Sequence, residues 1–283
     1  MIFHLKNLVL EFKLVNGMSG GEKQQSVTLK VRGAGKTNVG IRRRSNQDSI
    51  FVDEESLVFI LADGMGGHLG GEEASRIATS VVSSVLKDSS HLNNVKSEDL
   101  RFIENLPNEA AKITKIAIFE ADREIVEQSR NRADLRGMGS TIETLIIQDN
   151  VATIGHVGDS RVYLMRDGKL ELVTEDHSIL NEERKKRPMS DEEIANFPFK
   201  NRITRALGHL SDKHVDILQR ELKPGDTFLL CSDGLTDVAD DWEIEEALLE
   251  ADGNLEKASD HLVDMALDGG GPDNVSVVLV IVE

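Results

Sequence analysis

The chain has 283 residues, 39% hydrophobic and 29% charged, the make-up of a soluble globular protein. Fifty acidic against 33 basic residues give a formal net charge of −17, which argues against nucleic acid or an anionic membrane as the main partner. Cys231 is the single cysteine, so no intramolecular disulfide can form, and inside an apolar run it reads as a small core residue. No apolar stretch approaches the ~20 residues that span a bilayer, and Met1 to Val15 carries Lys6, Glu11 and Lys13 where a signal peptide would be uninterrupted. A cytoplasmic protein without membrane insertion is expected.

Residues 1–26 read as a flexible N-terminal extension, and 27–283 as one domain. Ile2 to Val15 alternates loosely, Asn16 to Glu22 breaks the pattern, and Met18 is a second candidate start that would make 1–17 a dispensable leader. Val27 to Val31 alternates as a strand, and Ile50 to Ala62 holds two strands around Asp53–Ser56. A helix follows from about Gly71, with Ala74, Ile77, Ala78, Val81, Val82 and Val85 on one face. A second runs from about Asn108 to Gln128. Thr141 to Ile147 and Val151 to Val157 are strands turned by Asp149–Asn150, and Asp167–Gly168 closes a hairpin over Arg161 to Val173. Residues 178–206 are irregular and charged. Val215 to Leu222 and Thr227 to Cys231 form a strand pair about Pro224–Gly225, helices lie near 241–250 and 254–267, and a last strand follows Gly269–Pro272. Helix pairs stand between strand groups, which favours antiparallel sheets with helices outside over a doubly wound parallel sheet.

Four apolar runs meet an aspartate. Leu57 to Ala62 leads into Asp63–Gly64, Val151 to Val157 into Gly158–Asp159, Thr227 to Cys231 into Ser232–Asp233–Gly234, and Asp273–Asn274 opens Val275 to Val282. Three acids follow the C-terminal end of a strand and one precedes an N-terminal start, which in antiparallel neighbours share one sheet edge. Two such carboxylates 4 Å apart repel by about 4 kcal/mol at an effective dielectric of 20. Hard divalent cations that prefer oxygen ligands remove that repulsion. Two glycine-rich segments are decoys. Gly33–Thr37 lacks the first glycine of a phosphate-binding loop and a helix after it, and Gly64–Leu69 has leucine where the dinucleotide fingerprint needs its third glycine.

The remaining signals are Gly40-x-x-Arg43-x-x-Asn46-Gln47-Asp48, Asp63-Gly64-Met65-Gly66-Gly67, Gly139-Ser140-Thr141, Gly158-Asp159-Ser160-Arg161, Ser232-Asp233-Gly234-Leu235-Thr236-Asp237 and Gly271-Pro272-Asp273-Asn274. Each alone is weak. In this order and spacing, over residues 27–283, they resemble the metal-dependent protein phosphatases, the type two C serine/threonine phosphatases, and bacterial members most of all. The resemblance implies an α+β fold, a four-layer α-β-β-α sandwich of two antiparallel sheets flanked by helix pairs. It implies two Mn2+ or Mg2+ ions at one edge, Asp63 bridging them, the Gly64 carbonyl on one, Asp233 and Asp273 on the other, and Asp48 serving the second. Asp159 and Asp237 resemble ligands of a third, weaker metal, and Thr141 a residue lining the pocket. Arg43 matches the arginine that grips the substrate phosphate. A metal pair lowers the pKa of a shared water so that it attacks phosphorus in line, and a guanidinium fork fits phosphate better than an ammonium.

The expected activity is hydrolysis of phosphoserine and phosphothreonine on proteins, substrates of serine/threonine kinases, by a monomeric signal-transduction enzyme. Two departures bear on it. Gln47 stands where many members carry glutamate, a weaker partner for a divalent ion. Met65 stands where several eukaryotic members place a histidine acid, and it donates no proton. His68, three residues on, reads as part of a turn or helix start. His177 and Ser178 read as structural, and 180–206 as a variable flap supported by Arg205. The alternative is a phosphoprotein-binding pseudo-phosphatase or scaffold with weak or no turnover; a structural calcium site is a third reading.

Overall fold

The computed structural model describes residues 10–11, 28–199, 202–210 and 214–283. Of the expected N-terminal extension only Leu10–Glu11 falls within them, paired antiparallel with Thr28–Leu29; the rest of 1–26 lies outside the described residues. Ten strands of four or more residues follow: β1 Val31–Asn38, β2 Asp48–Asp53, β3 Val58–Met65, β4 Ile142–Gln148, β5 Val151–Val157, β6 Arg161–Arg166, β7 Lys169–Leu172, β8 Asp216–Glu221, β9 Thr227–Cys231 and β10 Val275–Val282. They form two antiparallel sheets, one in the order β7-β6-β9-β10-β1 and the other β8-β5-β4-β3-β2, with Gly139–Ser140 pairing onto the end of β3.

Helices α1 (Gly67–Leu86) and α2 (Glu109–Asn131) cover the second sheet; α3 (Asp241–Ala251) and α4 (Leu255–Asp268) cover the first. Residues alternate along β3: Val58, Ile60 and Ala62 pack under α1 and α2, while Phe59 and Leu61 face the other sheet. In β10, Val275, Val277 and Leu279 face α3 and α4, and Val278, Val280 and Val282 the opposite sheet. Both faces of these strands are buried, so their sequences are continuous apolar runs without alternation. Asp149–Asn150 and Asp167–Gly168 take positive φ at both positions, the geometry of tight hairpin turns.

Four expectations change. Helix α1 begins at Gly67, so His68 falls in its first turn. The Gly33–Thr37 decoy is itself strand, inside β1. Val215–Leu222 and Thr227–Cys231 do not pair: β8 joins β5, and β9 lies between β6 and β10 in the other sheet. Pro224–Gly225 is a crossing between sheets, with the Gly225 N–H donating to the Val282 carbonyl at 2.7 Å and the Leu222 N–H to the Asn150 carbonyl at 3.0 Å. Lastly, the four aspartate-bearing runs do not share one sheet. Those of Asp63 and Asp159 belong to the second and those of Asp233 and Asp273 to the first, so the acids meet across the sandwich.

Gly33 shows how closely the sheets approach. A Cβ there would strike the Phe59 ring and come within 3.2 Å of Val52 Cγ1. Gly33→Val is therefore expected to destabilise by about 1–3 kcal/mol through overpacking, read as a lower thermal midpoint with metal affinity unchanged. An unchanged midpoint would mean that the sheets separate freely.

Candidate active site

Asp48 on β2 lies directly opposite Asp63 on β3. Thr141 fixes the Asp63 backbone from both sides: the Asp63 N–H donates to Thr141 Oγ1 at 2.9 Å, and the Thr141 N–H donates to the Asp63 carbonyl at 2.8 Å. Asp159 follows β5 by two residues. Asp233 is the first residue of the single turn Asp233–Thr236, and Asp273 precedes β10. Gly234 lets the two approach: its Cα sits so near the Asn274 carbonyl that any Cβ would overlap it.

Arg43, Asp63, Gly64, Thr141, Asp159, Asp233 and Asp273 line one cavity of about 440 Å3, together with Gln47, Met65 and Ile203. Asp48 stands behind the lining. Its Oδ2 accepts from Ser276 Oγ at 2.6 Å and Ser232 Oγ at 2.9 Å. Asp237 lines a smaller adjoining cavity with Asp159, Asp233 and Asp176. Every acid that the sequence pointed to is thus at or beside one cavity. Among the described residues no three acidic, histidine or cysteine groups close into a ready-made metal cage. The Arg43 guanidinium, half exposed, contacts the Asp273 carboxylate.

The electrostatics are those of acids that outnumber their counter-charges. Burial first, then the charges of Asp48, Asp233, Asp159 and Asp273, drive the Asp63 carboxyl well above the usual range. Burial followed by Asp159 and Asp237 does the same to Asp233. Burial raises Asp48 to about 6 against its serine hydrogen bonds, and burial with Asp176 raises Asp159 to about 7. Asp48 Oδ1 and Asp233 Oδ1 are buried with no hydrogen-bond partner. A buried acceptor without a donor is costly, and a divalent cation with an all-oxygen preference removes that cost.

Several residues that serve the site were not singled out from the sequence. Asn274 donates to the Val39 and Ser45 carbonyls and accepts the Gln47 N–H at 2.8 Å, which pins the loop carrying Arg43. Its place beside Asp273 was the available signal. Ser232 and Ser276 orient Asp48, yet isolated serines at strand ends carry no signal. Glu143 and His156, fully buried and 2.8 Å apart, form a polar layer under the Asp159 loop. Gln47 donates to the Gly67 carbonyl at 2.7 Å, so its amide braces the α1 start. Cys231 is buried and its thiol is pushed upward by burial, in keeping with a core role. Ser178 caps the flap helix Ile179–Lys186, accepting from the Asn181 N–H at 3.2 Å.

Comparison with known proteins places this arrangement. The model of the family described as protein phosphatase 2C matches residues 35–265. The serine/threonine phosphatase stp of Listeria monocytogenes serotype 4b (strain F2365) is 35% identical over 248 residues, 87% of this chain and 93% of that protein. The serine/threonine phosphatase of S. agalactiae superposes with a TM-score of 0.76 at 33% identity, over 89% of this chain and 100% of that one. The catalytic domain of the phosphatase PstP, solved with two manganese ions, superposes with a TM-score of 0.73 at 32% identity, over 90% and 99%. A one-cavity convergence of acids on a two-sheet sandwich, a match across most of the chain and relatives above 30% identity agree: the chain belongs to the protein phosphatase 2C family.

Proposed function

We propose that this protein hydrolyses phosphoserine and phosphothreonine on proteins, using two bound Mn2+ or Mg2+ ions. The observation that carries the proposal is the pair of buried, partnerless oxygens Asp48 Oδ1 and Asp233 Oδ1 at a cavity whose acids are raised by burial and then by one another. Asp63, the Gly64 carbonyl, Asp233, Asp273 and Asp48 would hold the two ions, and Asp159 and Asp237 would offer oxygens to a third, weaker one. Divalent ions there supply an activated water at neutral pH and offset charge on the phosphoryl oxygens.

The chain's own groups do the rest. Arg43, on the solvent side of the cavity, holds the phosphate by its guanidinium fork, and Thr141 keeps Asp63 in place. Met65 lines the cavity without a proton to give, so the leaving alkoxide takes its proton from water or from another group. Residues 27–283 act as one catalytic unit: Lys30 and Glu283 exchange backbone hydrogen bonds of 2.9 and 2.7 Å, closing the first sheet at its two chain ends. The proposal is of a monomeric cytoplasmic signalling enzyme acting on the products of serine/threonine kinases.

A phosphothreonine peptide incubated with manganese, magnesium or chelator provides the test. Phosphate release with either metal and none with chelator is expected. Tight phosphopeptide binding without turnover would establish the pseudo-phosphatase instead, and bound calcium without turnover the structural site.

A further inference from the structure

The segment between Ser178 and Ile203 leaves and rejoins the fold at one place. Ser178 bridges Ile203, the Ile179 N–H donates to the Arg202 carbonyl at 2.9 Å, and the Thr204 N–H donates to the His177 carbonyl at 2.7 Å. His177 also holds the residue before Asp159. Its N–H donates to the Gly158 carbonyl at 2.7 Å, and its Nδ1 accepts the Gly158 N–H at 3.1 Å. One residue thus binds the returning flap with its carbonyl and the Asp159 loop with its amide and ring.

The ring is fixed on its other sides too. An Nδ1 that accepts places the proton on Nε2, which faces Asp216 Oδ2 at 3.2 Å. Arg205 Nη1 lies 3.0 Å from Nε2 and 3.8 Å from Asp216 Oδ1. With Nε2 already a donor, Arg205 acts on the Asp216 charge and not on the ring nitrogen. The His156 ring lies behind at 4.4 Å. Its two nitrogens face Glu143 at 2.8 Å and the Glu175 carbonyl at 2.9 Å, and against its burial the Glu143 charge and these bonds raise His156 to about 9. Asp216 pairs with His156 across β8 and β5. Burial, with the positive His156 and Arg205 nearby, keeps His177 below the usual histidine range and neutral despite Asp216.

We propose that His177 is a positioning residue of this site: through Gly158 it sets the Asp159 carboxylate, and through Thr204 it couples Asp159 to the flap that carries the cavity-lining Ile203. A substrate that moves the flap is then felt at Asp159. The catalytic consequence rests on the phosphatase reading; the hydrogen-bonded link does not.

Two substitutions separate positioning from space-filling. His177→Asn keeps an acceptor near the Nδ1 position and loses contact with Asp216. His177→Gln keeps a polar atom near the Nε2 position and loses the acceptor for Gly158. H177Q is expected to speed hydrogen exchange of the Gly158 amide and to weaken manganese-induced thermal stabilisation. It should lower kcat about 10–100-fold with substrate KM changed far less, the usual cost of losing an outer partner of a ligand, and H177N should restore most of that loss. Equal losses in both variants, a loss in H177N alone, or no loss in either would overturn the proposal. Should H177Q not fold, nitrogen NMR of the wild-type ring decides: an unprotonated Nδ1 supports the link and a protonated one overturns it. If the wild type shows no turnover, the phosphatase reading fails, while exchange and NMR still judge the link.

Discussion

Asp63→Asn is expected to lower phosphate release from a phosphothreonine peptide by on the order of 10³-fold or more, because metal ions contribute several kcal/mol to such a transition state and each 1.36 kcal/mol is a factor of ten. The substitution keeps the side-chain shape. The contacts that fix residue 63, from Thr141 Oγ1 and the Thr141 N–H, are made to its backbone and survive. What is lost is the negative charge that four other aspartates surround. In the metal-free protein the substitution also removes an acid whose ionisation burial and its neighbours oppose, so D63N should have a higher thermal midpoint than wild type in chelator. Activity and metal-free stability therefore move in opposite directions. A general unfolding defect lowers both, and a residue outside the site lowers neither. Activity within tenfold of wild type at saturating manganese would sink the assignment of Asp63.

The acids of the site were legible because their chemistry leaves a mark: an aspartate at one end of an apolar run, next to a glycine at Asp63, Asp159 and Asp233 and just before the run at Asp273. Helices α1 and α2 were legible from their apolar stripes. Pairing was not. β8 and β9 are separated by a turn signal that fits a hairpin as well as a crossing between sheets, and only the two-sided burial of β9 decides for the crossing. The sheet to which each run belongs was illegible for the same reason, since a strand buried on both faces shows no alternation to mark its neighbours. His177 and Asn274 were underread because they act through backbone amides and carbonyls of distant segments. Such partners leave no spacing rule in a sequence.

Net charge and site charge also act on different scales. The −17 is a sum over the whole chain, and where its charges are exposed salt screens them within about 8 Å at physiological ionic strength. The cavity acids are half-buried, with Asp48 Oδ1 and Asp233 Oδ1 fully covered, and are screened less. Arg43 contacts one of them from the solvent side, and His156 is paired below with Glu143. Stability of the metal-free protein should therefore depend on pH through the cavity more than through the surface.

Manganese is expected to raise the thermal midpoint by on the order of 10 °C at pH 7.5 and far less at pH 5. Two sites each filled at a hundredfold excess over Kd contribute about 5 kcal/mol together, and a domain of this size moves by about 2–4 °C per kcal/mol. The pH dependence follows from the raised carboxyls. In the folded, metal-free chain Asp48 titrates at about 6 and Asp159 at about 7, against 3.8 as the ordinary value, so the folded state holds these protons more tightly than the unfolded state. Their contribution is fully present below about pH 4, and it is lost as pH rises towards 7. Manganese binds the deprotonated acids, so its stabilisation grows over the same interval. Comparing midpoints with and without metal at each pH cancels the groups that the metal leaves untouched. A metal increment equal at pH 5 and pH 7.5 would mean that cations bind elsewhere than among these aspartates.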